Sequence, residues 1–316
     1  MSKIETQVLP ETDTGLSTAV DVLAQGGLVS FATETVYGLG ADATNDKAVA
    51  RIFEAKGRPQ FNPLIAHVAD IGMAKEFVEW SDEADKLAEA FWPGPLSLVL
   101  PLKENSGISP LVTAGLSSLA VRLPAHPLAR QMLAKLSKPV AAPSANISGK
   151  ISPTSVVHVL AGLDGKIEAL LDGGNCNVGL ESTIIGLIDA PALFRPGGVP
   201  VEAIESVLGV RLAVDTSPET LIAPGQMTSH YAPGASVRLN ATKWHAGELR
   251  LGFGPIECDL NLSETGDMVE AAANLFHHLH ALDSRDGKSI AVSPIPQSGL
   301  GAAINDRLER AAAPRS

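Results

Sequence analysis

The sequence has few cysteines and no long run of apolar residues. It contains two cysteines among 316 residues, Cys176 and Cys258, which argues against a disulfide framework and predicts a reducing compartment. Nowhere do about 18 apolar residues follow one another, so no membrane-spanning helix is expected. The N-terminal stretch also lacks the apolar segment of a signal peptide. These absences predict a cytoplasmic protein without membrane contact.

Positive charge and aromatic side chains are also scarce. Lysine and arginine number 24 against 35 acidic residues, and aromatic residues make up 4%. Nucleic-acid surfaces need cations for phosphates and rings for bases. We therefore expect no direct nucleic-acid binding. A few cations inside a cleft could still hold a small anionic substrate, because exposed charges are screened beyond roughly 8 Å.

The familiar nucleotide-binding and metal-binding motifs are missing. No GxxxxGK[ST] loop occurs, and GLG at residues 38–40 is only a fragment of the GxGxxG fingerprint. The LFHHLH run supplies His277, His278 and His280. These histidines lack a third ligand at motif spacing, so we expect a solvated helix face and no metal site.

Hydrophobic periodicity predicts an α/β protein. A helix is expected from about Gly15, followed by the strand LVSFA, and a second helix over residues 46–56 is capped by Asn45. PLIAHV, LSLVL, LAVRLP and PVAAP follow as apolar strands. Nearly continuous apolar strands with short links predict a twisted mixed sheet with flanking helices.

A change of composition predicts the domain organisation. Residues 213–235 are rich in Pro, Ser, Thr and Gly, which indicates a linker. We expect a large domain over residues 1–212 and a smaller α/β domain over residues 236–316, with helices over 268–282 and 302–313.

Two short segments present polar groups after regular elements. EAKGRP places Lys56 and Arg58 at the end of a helix, and PVAAPSANISG places Ser144 and Asn146 after an apolar strand. Each segment has an ordinary alternative: a helix end with bases that complement its dipole, or a turn that closes a strand. Neither segment alone decides between a ligand site and a structural role.

Further polar residues lie in or beside apolar strands: His67, Arg122, Ser182 and Arg195. Arg122 has no carboxylate nearby in sequence, and a buried guanidinium needs a partner. A ligand carboxylate would satisfy it through two hydrogen bonds. For His67 the alternative is a satisfied histidine of the core.

Five separated motifs follow one another along the chain: TETVYGLG, KGRP with NPL, LAVRLP, APSAN, and the stretch from ESTI to RPGG. In this order and spacing they resemble the YrdC-like family, and within it the L-threonylcarbamoyladenylate synthases. The resemblance covers about residues 10–212. The linker with SHYAPG and the C-terminal unit resemble the extra, Rossmann-like domain of the longer two-domain members.

This resemblance implies a nucleotidyltransferase reaction. L-threonine, bicarbonate or CO₂, and ATP, which Mg²⁺ normally accompanies, would give threonylcarbamoyl-AMP and pyrophosphate. The product would pass to a tRNA threonylcarbamoyl transferase for the threonylcarbamoyladenosine modification of tRNA.

The resemblance also implies roles for individual residues. Lys56 and Arg58 would neutralise the triphosphate, while Ser144 and Asn146 would bind phosphate oxygens or Mg²⁺; no residue is expected to belong to a metal site of the protein itself. The implied ATP contacts are Arg58, Asn62, Ser118, Ser144, Ser152, Arg195, His230 and Tyr231. The implied threonine contacts are Thr35, His67, Arg122, Ala142 and Ser182. SHYAPG would be a lid, and His67 is the nearest candidate for a general base.

Two other functions stay open at this point. One is an RNA-binding module, which the charge and the few aromatic residues disfavour. The other is a carbamoyl-adenylating enzyme of the hydrogenase-maturation type, which shares the domain but brings CxxC pairs and an acylphosphatase-like region. This sequence has neither.

Overall fold

A computed structural model describes residues 4–214, 230–285 and 289–314 of the chain. Most of the predicted linker, residues 215–229, lies outside this range. The first part of the described chain, residues 4–214, contains eleven strands: β1 (Gln7–Leu9), β2 (Val29–Phe31), β3 (Gly38–Asp42), β4 (Ile65–His67), β5 (Leu96–Pro101), β6 (Ser118–Arg122), β7 (Val140–Ala141), β8 (Ala169–Leu171), β9 (Thr183–Gly186), β10 (Ala192–Arg195) and β11 (Ala213–Val214).

Eight helices alternate with these strands: α1 (Asp13–Ala24), α2 (Asp46–Lys56), α3 (Ile71–Phe77), α4 (Asp82–Phe91), α5 (Pro110–Thr113), α6 (Pro127–Leu136), α7 (Val156–Leu163) and α8 (Val201–Leu208). The second part contains β12 (Ser236–Arg238), β13 (Glu248–Gly252), β14 (Leu260–Asn261), α9 (Met268–Asp283), β15 (Ser289–Val292) and α10 (Leu300–Ala312).

The large sheet is mixed, in the order β1-β8-β2-β3-β7-β4-β6-β5-β9-β10-β11. It contains parallel pairs such as β4 with β6 and antiparallel pairs such as β4 with β7. The second sheet, β12-β15-β13-β14, is parallel in all its described pairs. The predicted mixed α/β sheet with a smaller second α/β unit is confirmed.

Several helices pack on one face of the large sheet. The main core joins apolar side chains of α2, α4, α7 and α8 to that face. On the opposite face, α1 and α6 pack over the strands near β1, β8 and β2. Farther along this face lies a small cluster of Ile65, Val99, Ala120 and Ile184. Because alternate residues of a strand share a face, His67 and Arg122 lie on the same face as Ile65 and Ala120.

The histidine run of α9 differs from the sequence prediction. His277 is exposed as expected, but His278 and His280 are half-buried. The His280 ring stacks on His158 of α7, with the ring centroids 3.9 Å apart. The solvated face is therefore wrong for His280, because the first part of the chain packs against this helix. Among the described residues, no group of three or more His, Cys, Asp or Glu side chains could hold a metal ion.

Both cysteines are free. Within the described part of the chain, no helix is both long enough and apolar enough to cross a bilayer.

Candidate active site

One cavity gathers ten of the predicted site residues. They are Thr35, Arg58, His67, Arg122, Ala142, Ser144, Ser182, Arg195, His230 and Tyr231. The remaining wall is formed by Thr33, Val36, Gly38, Ile65, Pro143 and Glu181. Its free volume is about 50 Å³, well below the roughly 300–1,000 Å³ of sites that enclose drug-sized ligands. A nucleotide would therefore require part of this wall to move.

The end of helix α2 places Arg58 in the cavity wall. Gly57 caps the helix in the left-handed region, with φ 59° and ψ 38°, a conformation that glycine adopts without a Cβ clash. The chain then turns, and the Arg58 guanidinium donates through Nη2 to the carbonyl oxygen of Pro63 at 3.0 Å. Burial, and secondarily Arg195, lower the pKa of Arg58 to about 10. Arg58 remains a cation at neutral pH.

Lys56 lies behind this wall and does not line the cavity. Its Nζ donates to the carbonyl oxygen of Ser144 at 2.5 Å and to that of Asn146. The side chain is 1% exposed, and burial, followed by the charge of Arg58, holds its pKa well below the usual value. Lys56 thus fixes the loop that carries Ser144.

Asn146 also supports that loop. Its side-chain nitrogen donates to the carbonyl oxygens of Ile147 and Lys150 at 2.8 and 2.9 Å. The implied bond from Asn146 to a phosphate oxygen is therefore not available to this amide nitrogen. The Oδ1 atom is buried and has no hydrogen-bond partner among the described residues. As an acceptor, it suits a hydroxyl group or a cation rather than a phosphate.

Arg122 has a carboxylate partner that its sequence neighbourhood does not show. Its Nη2 pairs with Glu34 Oε1, and its Nε donates to the carbonyl oxygen of Gly94 at 3.2 Å. The second Glu34 oxygen accepts from the backbone N–H of Ala125 at 2.9 Å. Arg122 therefore has a carboxylate partner within the chain, in addition to the ligand carboxylate expected from the sequence. Glu34 lies between two threonines of the TETVYGLG segment. Its place in that motif was the one sequence signal that could have pointed to it.

His67 lies opposite Arg122 in the register of β4 and β6. Burial lowers the pKa of His67 to about 3, and the adjacent Arg122 acts in the same direction. The imidazole is therefore neutral at pH 7. Its ring meets Phe31 edge-on, with the centroids 6.1 Å apart.

Arg195 and Ser182 meet at the β9–β10 pair. The register of this pair shifts between Leu193 and Arg195, an irregularity that can redirect a side chain. Arg195 Nη2 donates to the carbonyl oxygen and to Oγ of Ser182, at 2.9 and 3.2 Å. Ser182 Oγ also lies 2.8 Å from Ser97 Oγ. On the other side of the cavity, Thr35 Oγ1 lies 2.7 Å from Thr33 Oγ1.

Three predicted ATP contacts lie outside the cavity wall: Asn62, Ser118 and Ser152. Asn62 belongs to the loop after α2, and its carbonyl oxygen accepts from Arg58 Nε at 3.4 Å. Ser118 begins β6, while Arg122 ends it. Four residue steps along the strand therefore separate their Cα atoms by roughly 13 Å. Ser152 is buried and donates to Glu181 Oε1 at 2.7 Å.

His230 and Tyr231 complete the wall from the second part of the chain. Tyr231 has a positive φ of 60°, which costs a non-glycine residue energy. Its ring stacks on Phe276 of α9, with the centroids 5.4 Å apart. The N–H of Ala232 donates to the carbonyl oxygen of Gly149 at 2.9 Å. Burial lowers the pKa of His230 to about 3, so this wall adds no cation.

The chain is similar to known proteins over nearly its whole length. The family model Sua5_yciO_yrdC, described as "Telomere recombination", matches residues 21–197, and the model described as "Threonylcarbamoyl-AMP synthase, C-terminal domain" matches residues 199–313. A threonylcarbamoyl-AMP synthase of Pyrococcus abyssi (strain GE5 / Orsay) is 43% identical, over 93% of this chain and 92% of that protein. One of Bacillus subtilis (strain 168) is 39% identical, over 98% and 96%.

A solved structure agrees with these relatives. The crystal structure of P. abyssi Sua5 complexed with L-threonine has a TM-score of 0.90 and 39% identity, and the match covers 97% of each chain. Two matching family models and full-length relatives of this identity support one conclusion. The chain belongs to the threonylcarbamoyl-AMP synthase family.

Proposed function

We propose that this chain condenses L-threonine, CO₂ derived from bicarbonate, and ATP into threonylcarbamoyl-AMP and pyrophosphate in the cavity described above. The observation that carries the proposal is the convergence of three guanidinium groups, those of Arg58, Arg122 and Arg195, on one cavity with serine and threonine hydroxyls. The reaction brings a carbamate and a triphosphate together. At an effective dielectric constant near 20, two unit charges 4 Å apart repel by about 4 kcal/mol. Fixed cations offset that repulsion.

The chemistry needs no covalent intermediate with the protein. The threonine amine adds to CO₂ and loses a proton, which gives the carbamate. A carbamate oxygen then attacks the α-phosphorus of ATP. The bond between the α-phosphorus and the oxygen that bridges to the β-phosphorus breaks, and pyrophosphate leaves with that oxygen. Preorganised donors at the phosphorus stabilise the charge that develops there. Positioning of both substrates supplies much of the remaining rate.

In the proposed roles, Arg58 and Arg195 bind the triphosphate, with the hydroxyl of Ser144. Arg122 binds the threonine carboxylate, with Thr35, His67, Ala142 and Ser182 around the rest of the amino acid. Lys56 and Asn146 hold the loop that carries Ser144, so Lys56 acts on the phosphates from behind the wall. A pKa of about 3 makes His67 a weak base. His67 therefore orients threonine in this proposal and does not deprotonate it.

Mg²⁺ fits this site as part of the nucleotide substrate. Among the described residues, the cavity wall contains one carboxylate, Glu181, which Ser152 and Arg307 already engage. Mg²⁺ at nucleotide sites commonly keeps water and phosphate oxygens as ligands, with few protein groups. When bound, the ion would neutralise part of the triphosphate charge, and Asn146 Oδ1, a buried acceptor without a hydrogen-bond partner among the described residues, would be available to its hydration shell.

The proposed organisation keeps residues 1–212 as the catalytic domain and residues 236–316 as the C-terminal domain. His230 and Tyr231 belong to the segment between them and form one wall of a cavity too small for a nucleotide. We therefore propose that His230 and Tyr231 move when ATP enters. The product would pass to a tRNA threonylcarbamoyl transferase in the cytoplasm.

The direct test is incubation of the purified protein with ATP, Mg²⁺, L-threonine and labelled bicarbonate, followed by product analysis. Labelled threonylcarbamoyl-AMP and pyrophosphate in equal amounts are expected. Adenylation that requires carbamoyl phosphate instead would indicate the hydrogenase-maturation type of reaction. Salt-sensitive tRNA binding without any adenylate would indicate the RNA-binding alternative. Either result would overturn the proposal.

A further inference from the structure

A buried arginine from the second part of the chain contacts the wall of the cavity. Arg307 of α10 is 0% exposed and does not itself line the cavity. Its Nε donates to Glu181 Oε2 at 2.9 Å. Glu181 does line the cavity, and it precedes β9 of the large sheet. This ion pair therefore joins the C-terminal helix directly to the active-site wall.

The guanidinium of Arg307 has two further neighbours. Its central carbon lies 5.3 Å from the centre of the Tyr231 ring, and Tyr231 is also a wall residue. Its Nη1 donates to Asp306 Oδ2 at 2.6 Å, and Asp306 in turn pairs with Arg310 at 3.0 Å. A buried arginine with this set of contacts is fixed in place by geometry as well as by charge.

The charge of Glu181 matters because of what the cavity holds. The other charged wall residues are the cations Arg58, Arg122 and Arg195, and the proposed substrates are anions. An uncompensated carboxylate here would repel a triphosphate. Burial acts to raise the pKa of Glu181, but Arg307 and then Arg195 outweigh it and lower that pKa to about 2. Glu181 is therefore ionised, and Arg307 is the partner that balances it.

We propose that Arg307 is a positioning residue of the active site: it neutralises Glu181 from behind, so that the cavity stays attractive to the triphosphate of ATP. The C-terminal domain is then part of the nucleotide site and not only a support for the connecting segment. The inference rests on the function proposed above, since it concerns the ATP subsite of that reaction.

The test compares three variants by steady-state kinetics with ATP and threonine varied separately. Arg307→Met leaves Glu181 unbalanced, and we expect KM for ATP to rise about tenfold while kcat stays within about threefold. Glu181→Gln combined with Arg307→Met removes both charges, and KM for ATP should return to within about threefold of the wild type. A purely structural role of Arg307 would not give this rescue.

The matched control is Arg238→Met. Arg238 is also an arginine of the second part of the chain that pairs with a carboxylate, Glu248, at 2.6 Å, but neither residue lines the cavity. Its kinetics should match the wild type.

Each result has a defined meaning. An unchanged KM for ATP in Arg307→Met, or a double variant as impaired as the single one, overturns the inference. If Arg307→Met alone does not fold, the double variant carries the test, because a tenfold higher KM without either charge contradicts the charge argument. Failure of the wild-type protein to form threonylcarbamoyl-AMP would instead refute the proposed function.

Discussion

Lys56 is a basic side chain that folding has removed from water, and this has a measurable consequence. Its pKa is held well below the usual value by burial, and a triphosphate bound beyond the Ser144 loop would raise that pKa again. We expect ATP binding to be accompanied by more proton uptake in the wild type than in Lys56→Met. Calorimetry of ATP binding in two buffers of different ionisation enthalpy measures this difference.

The control for Lys56→Met is Lys138→Met, because the Lys138 side chain is half exposed and pairs with Asp42. It should leave proton uptake unchanged. Lys56→Met should also lose about a hundredfold in kcat/KM for ATP, the usual cost of removing one preorganised electrostatic group. Equal proton uptake in wild type and Lys56→Met would contradict the assigned protonation change.

Glu34 gives a second test at the residue scale. It orients Arg122 through Oε1 while Oε2 is held by the N–H of Ala125. In Glu34→Gln the charge-assisted bond weakens, and we expect KM for threonine to rise about tenfold with KM for ATP within about twofold. A lower KM for threonine would mean that Glu34 competes with the substrate carboxylate. Glu168→Gln is the control, because Glu168 forms a half-buried pair with Arg51 and neither residue lines the cavity.

The residue scale also marks the limit of prediction from sequence. Arg58, Ser144 and Arg122 could be found because each sits at the end of a helix or strand within a short motif. Their partners could not be found in the same way. Glu34 and Arg122 are 88 residues apart, and Glu181 and Arg307 are 126 residues apart. Only the folded sheet and the packing of the two parts bring these charges together.

At the scale of elements, helix α2 determines where Arg58 lies. Gly57 ends α2 at φ 59°, and a Cβ in this region costs roughly 1–2 kcal/mol. Gly209 ends α8 in the same region, at φ 72°. A Cβ at either glycine meets no atom within 4 Å, so backbone conformation alone sets the cost.

The two glycines form a matched pair for experiment. Gly57→Ala and Gly209→Ala should each lower the free energy of unfolding by about 1 kcal/mol, measured by urea denaturation. Only Gly57→Ala should also lower kcat/KM for ATP, because Arg58 follows it directly. Full activity of a folded Gly57→Ala protein would show that Arg58 does not depend on this helix end.

Element bounds were predictable where both ends of an element carry a signal. The prediction of α2 over residues 46–56 is confirmed because the Asn45 side chain accepts from the N–H groups of Lys47 and Ala48, and Gly57 stops the helix. The irregularity that places Arg195 had no such signal. It follows from the pairing of β10 with β9, which local sequence does not encode.

For the whole molecule, the contact between α7 and α9 predicts sensitivity to acid. The N–H of Thr154 donates to His158 Nδ1 at 3.3 Å, and the His280 ring stacks on His158. Protonation would remove that acceptor and place cations face to face. Burial lowers the pKa of His158 to about 3, with His280 and His277 acting in the same direction. Since the pKa of His158 is lower in the folded protein than in the unfolded chain, its contribution to stability is fully present above about pH 6.5. That contribution is lost as the pH decreases toward 3.

The melting temperature at pH 7.5 and pH 5.0 measures this loss. We expect the drop between the two values to be smaller in His158→Gln than in the wild type, because the variant has no imidazole to protonate at the contact. His245→Gln changes an exposed histidine and should leave the drop in place. If the drop in melting temperature were the same in His158→Gln as in the wild type, this contact would not be the source of the acid sensitivity.

The strand order has a consequence for the timing of synthesis. Strand β2, at residues 29–31, lies between β3 and β8, and β8 spans residues 169–171. One side of β2 must therefore wait for a partner made roughly 140 residues later. At 5–20 residues per second, that delay is on the order of ten seconds. During this time the nascent chain carries an unpaired apolar edge, which exposes it to aggregation with other chains.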